Sequence, residues 1–268
     1  MNMIVNQEMA KKLEQSEIDC LLSRLSAMKE IEGNPMSVEV ERFGNATAFS
    51  VKNIPGPSFN TVKGLQIEDE KEIDKIIDFY HKKEIPVRFE IVPSNVSPDL
   101  LRYLNTKGFY QSDFHTTLFT PHTEEERVID ESITIRKLKS DEFDLFAEIY
   151  TLGFELPSFL KDGVARNNEI LYQKEGWTFY LASMLGEAVG IGVLFRKNQI
   201  GTLAAATTVP KFRNNGVQSA LIKKRLNEAF SQDCKLLVGQ ARFASISQNN
   251  MERAGMRIAY TKAIWVEK

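Results

Sequence analysis

Apolar and polar positions alternate along the chain with two periods, and the switches between them divide it into helices and strands. Ile18, Leu21, Leu22, Leu25 and Met28 recur at helical spacing with charged residues between them. This period predicts helix over 6–31, ended by Gly33-Asn34-Pro35. Short extended runs follow at 37–43 and 46–52, then a Pro- and Gly-rich turn at 53–58. Ile73, Ile76, Ile77 and Tyr80 form the stripe of a helix over 69–81, and 87–92 alternates as a strand. A third helix covers 98–107 with Ser97 as its cap, and 114–119 reads as a strand.

After the polar bridge Pro121-His122-Thr123-Glu124-Glu125-Glu126-Arg127 the pattern starts again. It predicts a strand at 133–138, a helix at 142–154 capped by Asp141, and a helix at 166–174. Strands follow at 177–185, 188–196 and 201–209. A helix at 217–230 places Val217, Leu221, Ala229 and Phe230 inward and Lys223, Lys224 and Arg225 outward. The chain closes with a short strand at 236–238, a helix at 245–254 capped by Ser245 or Ser247, and a strand at 257–266. The bridge marks a boundary between a domain at 1–125 and another at 132–268.

Composition narrows the class. Of 268 residues, 43% are hydrophobic and 26% charged, as in soluble globular proteins. The formal net charge of −2 gives no basic excess for nucleic acid. No apolar run approaches the ~20 residues that cross a bilayer. The first eight residues lack a basic start and an apolar core, so the expectation is a cytoplasmic protein with reduced thiols at Cys20 and Cys234. Neither Cys nor His forms a metal-ligand pattern, so no metal is expected.

The chemistry concentrates between the strand 201–209 and the helix 217–230. Arg213-Asn214-Asn215-Gly216-Val217-Gln218 is a polar loop opening a helix. A helix start presents backbone N–H groups without intrahelical partners, and its dipole attracts anions. Gly216 allows a tight turn, and Arg213 adds a permanent positive charge. The loop is therefore a candidate pyrophosphate cradle. A P-loop requires Gly-x-x-x-x-Gly-Lys-Ser/Thr, which is not present. Gly190-Ile191-Gly192 starts a dinucleotide fingerprint, but Phe195 stands where its third Gly belongs.

Val209-Pro210-Lys211-Phe212-Arg213-Asn214-Asn215-Gly216-Val217-Gln218-Ser219-Ala220-Leu221 resembles motif A of the GNAT superfamily of acyl-CoA-dependent N-acyltransferases, with Gln218 in place of the last small residue. Ser247-Gln248-Asn249-Asn250-Met251-Glu252-Arg253-Ala254-Gly255-Met256-Arg257 resembles motif B. The resemblance covers roughly 132–268. The first half resembles the same fold more weakly, through Leu104-Asn105-Thr106-Lys107-Gly108-Phe109, and lacks the Arg-x-x-Gly loop. What this implies is a GNAT fold of mixed α/β (α+β) class, with a mostly antiparallel central sheet flanked by helices. Two tandem GNAT-like domains are expected, the first degenerate.

The resemblance also implies a reaction: acetyl transfer from acetyl-CoA to a primary amine by direct attack, with no acyl-enzyme. It places the pantetheine arm along Thr207, Thr208 and Val209. It places the pyrophosphate on Arg213, Asn214, Asn215, Gly216, Val217, Gln218 and Ser219. A backbone N–H near Thr208–Val209 would meet the oxyanion. The leaving-group Tyr of many members is here Met251, which cannot donate a proton. The catalytic candidates are then Asn250, Tyr260 and, as base, Glu155. The implied acceptor is a small-molecule or peptide amine, with no nucleic-acid or membrane partner, acting in a monomer or homodimer. A binding protein without turnover, an acyl-CoA sensor or scaffold, is the alternative reading.

Overall fold

In the computed structural model the described residues are 4–54 and 56–268; residues 1–3 of the N-terminal stretch and Pro55 of the turn at 53–58 lie outside them. In chain order the elements are helix α1 (Gln7–Lys29), strands β1 (Val38–Phe43), β2 (Ala46–Val51) and β3 (Thr61–Lys63), helix α2 (Ile73–His81), strand β4 (Arg88–Ile91), helix α3 (Pro98–Thr106) and strand β5 (Phe109–Pro121). There follow β6 (Ile133–Lys137), α4 (Phe143–Gly153), α5 (Lys161–Glu169), β7 (Trp177–Met184), β8 (Glu187–Lys197), β9 (Ile200–Thr208), α6 (Val217–Ser231), β10 (Leu236–Arg242), α7 (Ile246–Arg253) and β11 (Arg257–Glu267). Two compact units result. The first comprises the described residues up to Thr117 with Ala241–Phe243 and Ile258–Lys268; the second comprises Leu118–Gln240 and Ala244–Arg257. The last strand, which the sequence reading places at the end of 132–268, thus belongs to the first unit. It pairs antiparallel with β4, Ala263 opposite Ile91 and Val266 opposite Arg88.

The first unit orders its strands β1-β2-β3-β4-β11-β5. Alternation along β2 explains how it is covered on both faces. Ala46 and Ala48 join a core with Ile73, Ile76, Tyr80, Leu100 and Leu104 of α2 and α3. Phe49 and Val51 join another with Ile18, Leu25 and Met28 of α1. The Tyr80 hydroxyl donates to the carbonyls of Phe49 (2.7 Å) and Thr61 (3.0 Å), which locks α2 onto the sheet. The helix read at 69–81 begins later, because 67–72 is a 3-10 segment whose Asp69 accepts from the Gln66 amide.

Beneath α1 lies a charged core. The Lys262 ammonium on β11 bonds Glu17 at 2.6 Å and Glu90 at 2.7 Å. Lys63 bonds the same two carboxylates at 3.3 and 2.5 Å. All four side chains are buried. Burial alone would raise the Glu90 pKa, but the Lys262 and Lys63 ammonium groups hold it well below the usual carboxylate range.

The neighbouring Glu14 has no cation within ion-pair distance among the described residues; Lys262 and Lys63 act on it only weakly. It accepts from the Gly64 amide (2.8 Å) and from Asn95 Nδ2 (2.7 Å). Burial raises its carboxyl from 4.5 to about 7. A raised folded-state pKa means that the folded chain holds this proton more tightly than the unfolded one. The associated stability is fully present below about 4.5 and is lost as pH rises through about 7. Glu14→Gln is expected to remove that loss, which unfolding midpoints measured across this range would show.

The second unit is an antiparallel run β6-β7-β8-β9 with β10 added parallel to β9. Its helices begin and end as local chemistry requires. The helix read at 142–154 runs from Phe143 with Glu142 as the residue before it, so Asp141 does not cap it. Instead the Glu142 carboxylate accepts from the Lys139 amide and from Arg136. The helix read at 166–174 lies earlier, at Lys161–Glu169, and Ser245 rather than Ser247 caps α7. The strand read at 236–238 continues to Arg242.

Arg225 departs most from expectation. It is not on the outer face of α6 but buried, with 2% of its surface exposed. Its guanidinium donates to the carbonyls of Leu221 (2.9 Å), Val193 (3.2 Å) and Ala205 (3.1 Å). Val193 and Ala205 flank the register shift between β8 and β9, where the ladder leaves acceptors for it. Gly192 provides the room, since a Cβ there would lie 3.2 Å from Arg225 Nε. Burial without a carboxylate lowers the guanidinium pKa to about 10. Arg225→Met, which removes the guanidinium donor from the Val193 and Ala205 carbonyls of the bulge, is expected to cost about 2–4 kcal/mol in denaturant unfolding.

Candidate functional site

The end of β9 and the start of α6 build the site. β9 pairs with β8 from Ile200 to Thr208, with one bulge. With β10 it pairs only through Leu236–Ile200, Leu237–Gly201 and Val238–Thr202. Beyond Thr202, among the described residues, the β10 side of β9 is without a ladder. A parallel pair that opens in this way leaves main-chain donors and acceptors for an extended ligand. Thr207 and Thr208 are buried there, and Thr208 Oγ1 has no partner among the described residues. Of the two amides read as oxyanion donors, that of Val209 is taken: it donates to the Val189 carbonyl at 2.9 Å. Strand alternation turns the Thr208 amide to the other side, toward the opening.

The chain then makes a short 3-10 turn, Pro210–Phe212, before the loop. Asn214 (φ 65°) and Gly216 (φ 78°) both adopt the left-handed region. At Gly216 a Cβ would meet only Ile133 Cδ1 at 3.7 Å, so the positive φ and not crowding asks for glycine. The first intrahelical bond of α6 runs from Ala220 N–H to the Gly216 carbonyl (2.9 Å). The amides from Asn214 to Ser219 have no acceptor among the described residues, and no side chain caps the helix. By contrast α1, α3 and α7 are capped by Asn6, Ser97 and Ser245. Six unsatisfied amides at a helix start match the requirement of a pyrophosphate.

The side chains around the loop are committed to one another. Arg213 pairs with Glu155 (2.7 Å) and donates to the Gly153 carbonyl (2.7 Å), although the partners lie about 60 residues away in the chain. The end of α4 reaches this place because Gly153 packs against Thr207. A Cβ on Gly153 would fall 2.3 Å from Thr207 Oγ1. Two candidates drawn separately from the sequence, Glu155 and Arg213, thus form one exposed ion pair at the loop. Asn215 closes the turn by donating to the Arg213 carbonyl at 3.1 Å.

Gln218 and Asn250 also meet. Asn250 Nδ2 donates to Gln218 Oε1 (3.1 Å), Gln218 Nε2 to Ser247 Oγ (3.3 Å), and Arg253 to Asn250 Oδ1 (3.2 Å). Both ends of the Asn250 amide are therefore engaged, and they tie α7 to the first turn of α6. Met251 is buried, its sulfur 2.8 Å from where a Cβ on Gly239 of β10 would stand. Tyr260 belongs to the first unit. Its phenol is pushed up in pKa by burial and by Glu17, with Lys262 and Thr117 also near it. Among the described residues no group of three His, Cys, Asp or Glu side chains could hold a metal ion. Among the described residues no helix is long and apolar enough to cross a membrane.

No protein-family model matches the sequence, and no curated protein matches it. Solved structures do. A GCN5-related N-acetyltransferase from Kribbella flavida superposes with a TM-score of 0.68 over 96% of this chain and 95% of its own, at 11% identity. One from Sphaerobacter thermophilus gives 0.62 over 90% and 84%, at 13% identity. A tandem GNAT protein from the clavulanic acid biosynthesis pathway gives 0.58 over 75% and 69%, at 12% identity. The fold of this chain is the GNAT fold.

Proposed function

We propose that the second unit, on this GNAT fold, binds an acyl-CoA and transfers its acyl group to a primary amine, with acetyl-CoA as the donor. The observation that carries the reading is the pair of open main-chain surfaces in series: the β10 side of β9, then the uncapped amides from Asn214 to Ser219. One extended, amide-rich ligand with a pyrophosphate fits both. Thr207 and Thr208 line the arm, and Val209, bonded to Val189, fixes the turn that leads to the phosphate loop. Arg213, braced by Glu155, holds the loop in shape and keeps a positive charge beside it.

Catalysis here is mainly positioning. The neutral amine attacks the thioester carbonyl carbon, so a C–N bond forms and the oxygen takes up negative charge. The Thr208 amide faces the opening and is the donor for that oxyanion. The C–S bond then breaks, and the thiolate accepts the proton shed by the new ammonium. A thiol pKa of ~8.5 makes this departure feasible without a dedicated acid, consistent with Met251 at the usual tyrosine position. Before attack, Glu155, exposed at the loop, accepts through water the proton that the substrate ammonium sheds to become this neutral amine, and passes it to solvent. Asn250, bonded to Gln218, holds α7 against the donor site.

Incubation with acetyl-CoA and a panel of primary amines should release free thiol, and Arg213→Ala should slow the release. Acetyl-CoA that binds tightly while no amine yields thiol would favour the sensor reading. Failure of both acetyl-CoA and CoA to bind at millimolar concentration would refute both.

A further inference from the structure

The first unit has a cleft of about 470 Å³ between α1, the β1–β2 hairpin and the chain leaving β3. We propose that this cleft is a second ligand site, which takes a small molecule bearing phosphate or carboxylate groups, held at its mouth by Lys11, Lys12 and Arg42. The inference does not depend on the acyl-CoA reading of the second unit.

The volume is within the ~300–1,000 Å³ of small-molecule pockets. The charge is what selects the ligand. Three cations line the cleft against one carboxyl, Glu14, in a chain whose net charge is −2. Elsewhere in the first unit Lys52, Lys63, Lys75, Lys83 and Lys107 each lie within 4.0 Å of a carboxylate. Lys12 and Arg42 have no such partner among the described residues, and Lys11 meets only the uncharged Gln66 Oε1 at 3.3 Å. Like charges gathered around a concave wall repel one another until an anion enters.

The carboxyl at the floor does not cancel them. Glu14 is buried, with 5% of its surface exposed, and it is occupied by Gly64 and Asn95. Burial pushes its pKa up to about 7, so near neutrality it carries only part of a charge. A residue perturbed by burial at the wall of a cleft is also a general sign of a functional site.

The walls are held in advance. Asp69 accepts from the Asn45 amide (2.9 Å), from Asn45 Nδ2 (3.2 Å) and from the Gln66 amide (2.9 Å), which fastens the hairpin to the chain after β3. Gly64, at φ 79°, sits where a Cβ would be 3.0 Å from the Asn45 carbonyl and 3.1 Å from Ile18 Cδ1. The three elements therefore converge because position 64 has no side chain. A wall that does not need to reorganise favours binding of a small ligand.

Calorimetric titration of the full chain with inorganic pyrophosphate and with citrate, at pH 7 and low salt, tests the proposal. The chain would carry Gly216→Glu, so that the loop of the second unit cannot contribute. Binding is expected to persist in that background. Lys12→Glu with Arg42→Glu should weaken it at least on the order of tenfold, while the same pair in the native chain leaves acetyl-CoA affinity unchanged. Both side chains are exposed, and circular dichroism would verify the fold. Tighter binding of pyrophosphate assigns a phosphate ligand; tighter binding of citrate assigns a carboxylate. Absence of heat from both probes at millimolar concentration, or equal binding with and without the charge reversals, would overturn the site. Failure of acetyl-CoA to bind the native chain would count against the second unit alone.

Discussion

Gly216→Glu is expected to weaken acetyl-CoA on the order of 100-fold, about 2.7 kcal/mol, with the fold retained. The substitution acts in two ways at one point. It puts a carboxylate where the uncapped amides of α6 await an anion, and like charges repel at short range. It also asks an L residue to hold φ 78°, a strain of about 1 kcal/mol. The space itself is available, since the nearest atom to a new Cβ is 3.7 Å away. Titration calorimetry with acetyl-CoA is the measurement, and Gly216→Ala separates the two causes. Alanine carries the strain without the charge, so it should lose no more than about tenfold. Equal affinities in all three proteins would remove the phosphate cradle from this loop.

Lys262→Met should destabilise the first unit by about 3–5 kcal/mol. The native cluster sets two ammonium groups against two carboxylates in a buried place. Without Lys262, Glu17 and Glu90 must share Lys63, and one negative charge remains buried and uncompensated. Denaturant unfolding would show the loss. Its pH dependence identifies the origin. Glu90 is depressed in the folded chain, so its stabilisation is present above the unfolded carboxylate pKa of ~4.3 and is lost as pH falls through the folded value. Lys262 is shifted the other way. Burial would lower it, but Glu17 and Glu90 raise it. Its stabilisation is therefore present below ~10.4 and lost as pH rises through the folded value. The variant should have a shallower acid limb. An unfolding midpoint unchanged by Lys262→Met would show that the cluster contributes nothing net.

How much of this was legible beforehand depended on the range of the interactions. The turn from β9 into α6 was, because backbone demands act locally: Gly216 must hold a positive φ, and Pro210 opens the turn before it. Helix α1 was legible from its stripe and α3 from its stripe and its cap Ser97, whereas the Asn6 cap of α1 was not read. Strand β3 was not, being three residues long and buried throughout, so it shows no alternation. Arg225 was misplaced because its charge outweighed its period. It lies four residues beyond Leu221 and eight beyond Val217, on the inward stripe, and the acceptors that admit it belong to a bulge in other strands. The Arg213–Glu155 pair joins positions 58 apart, and no local pattern announces it. The allegiance of β11 was hidden in the same way, since Lys262 finds Glu90 at a separation of 172.

That allegiance has a consequence for biosynthesis. Residues 258–268 emerge from the ribosome after the whole of the second unit, yet they complete the sheet of the first. The usual order, in which the N-terminal body matures first during translation, is therefore inverted. Until the final strand arrives, the nascent first unit holds Glu17 and Glu90 with Lys63 alone and leaves the flank of β4 open. Strand β11 acts as a latch: the sheet of the first unit is complete only once residues 258–268 have been translated.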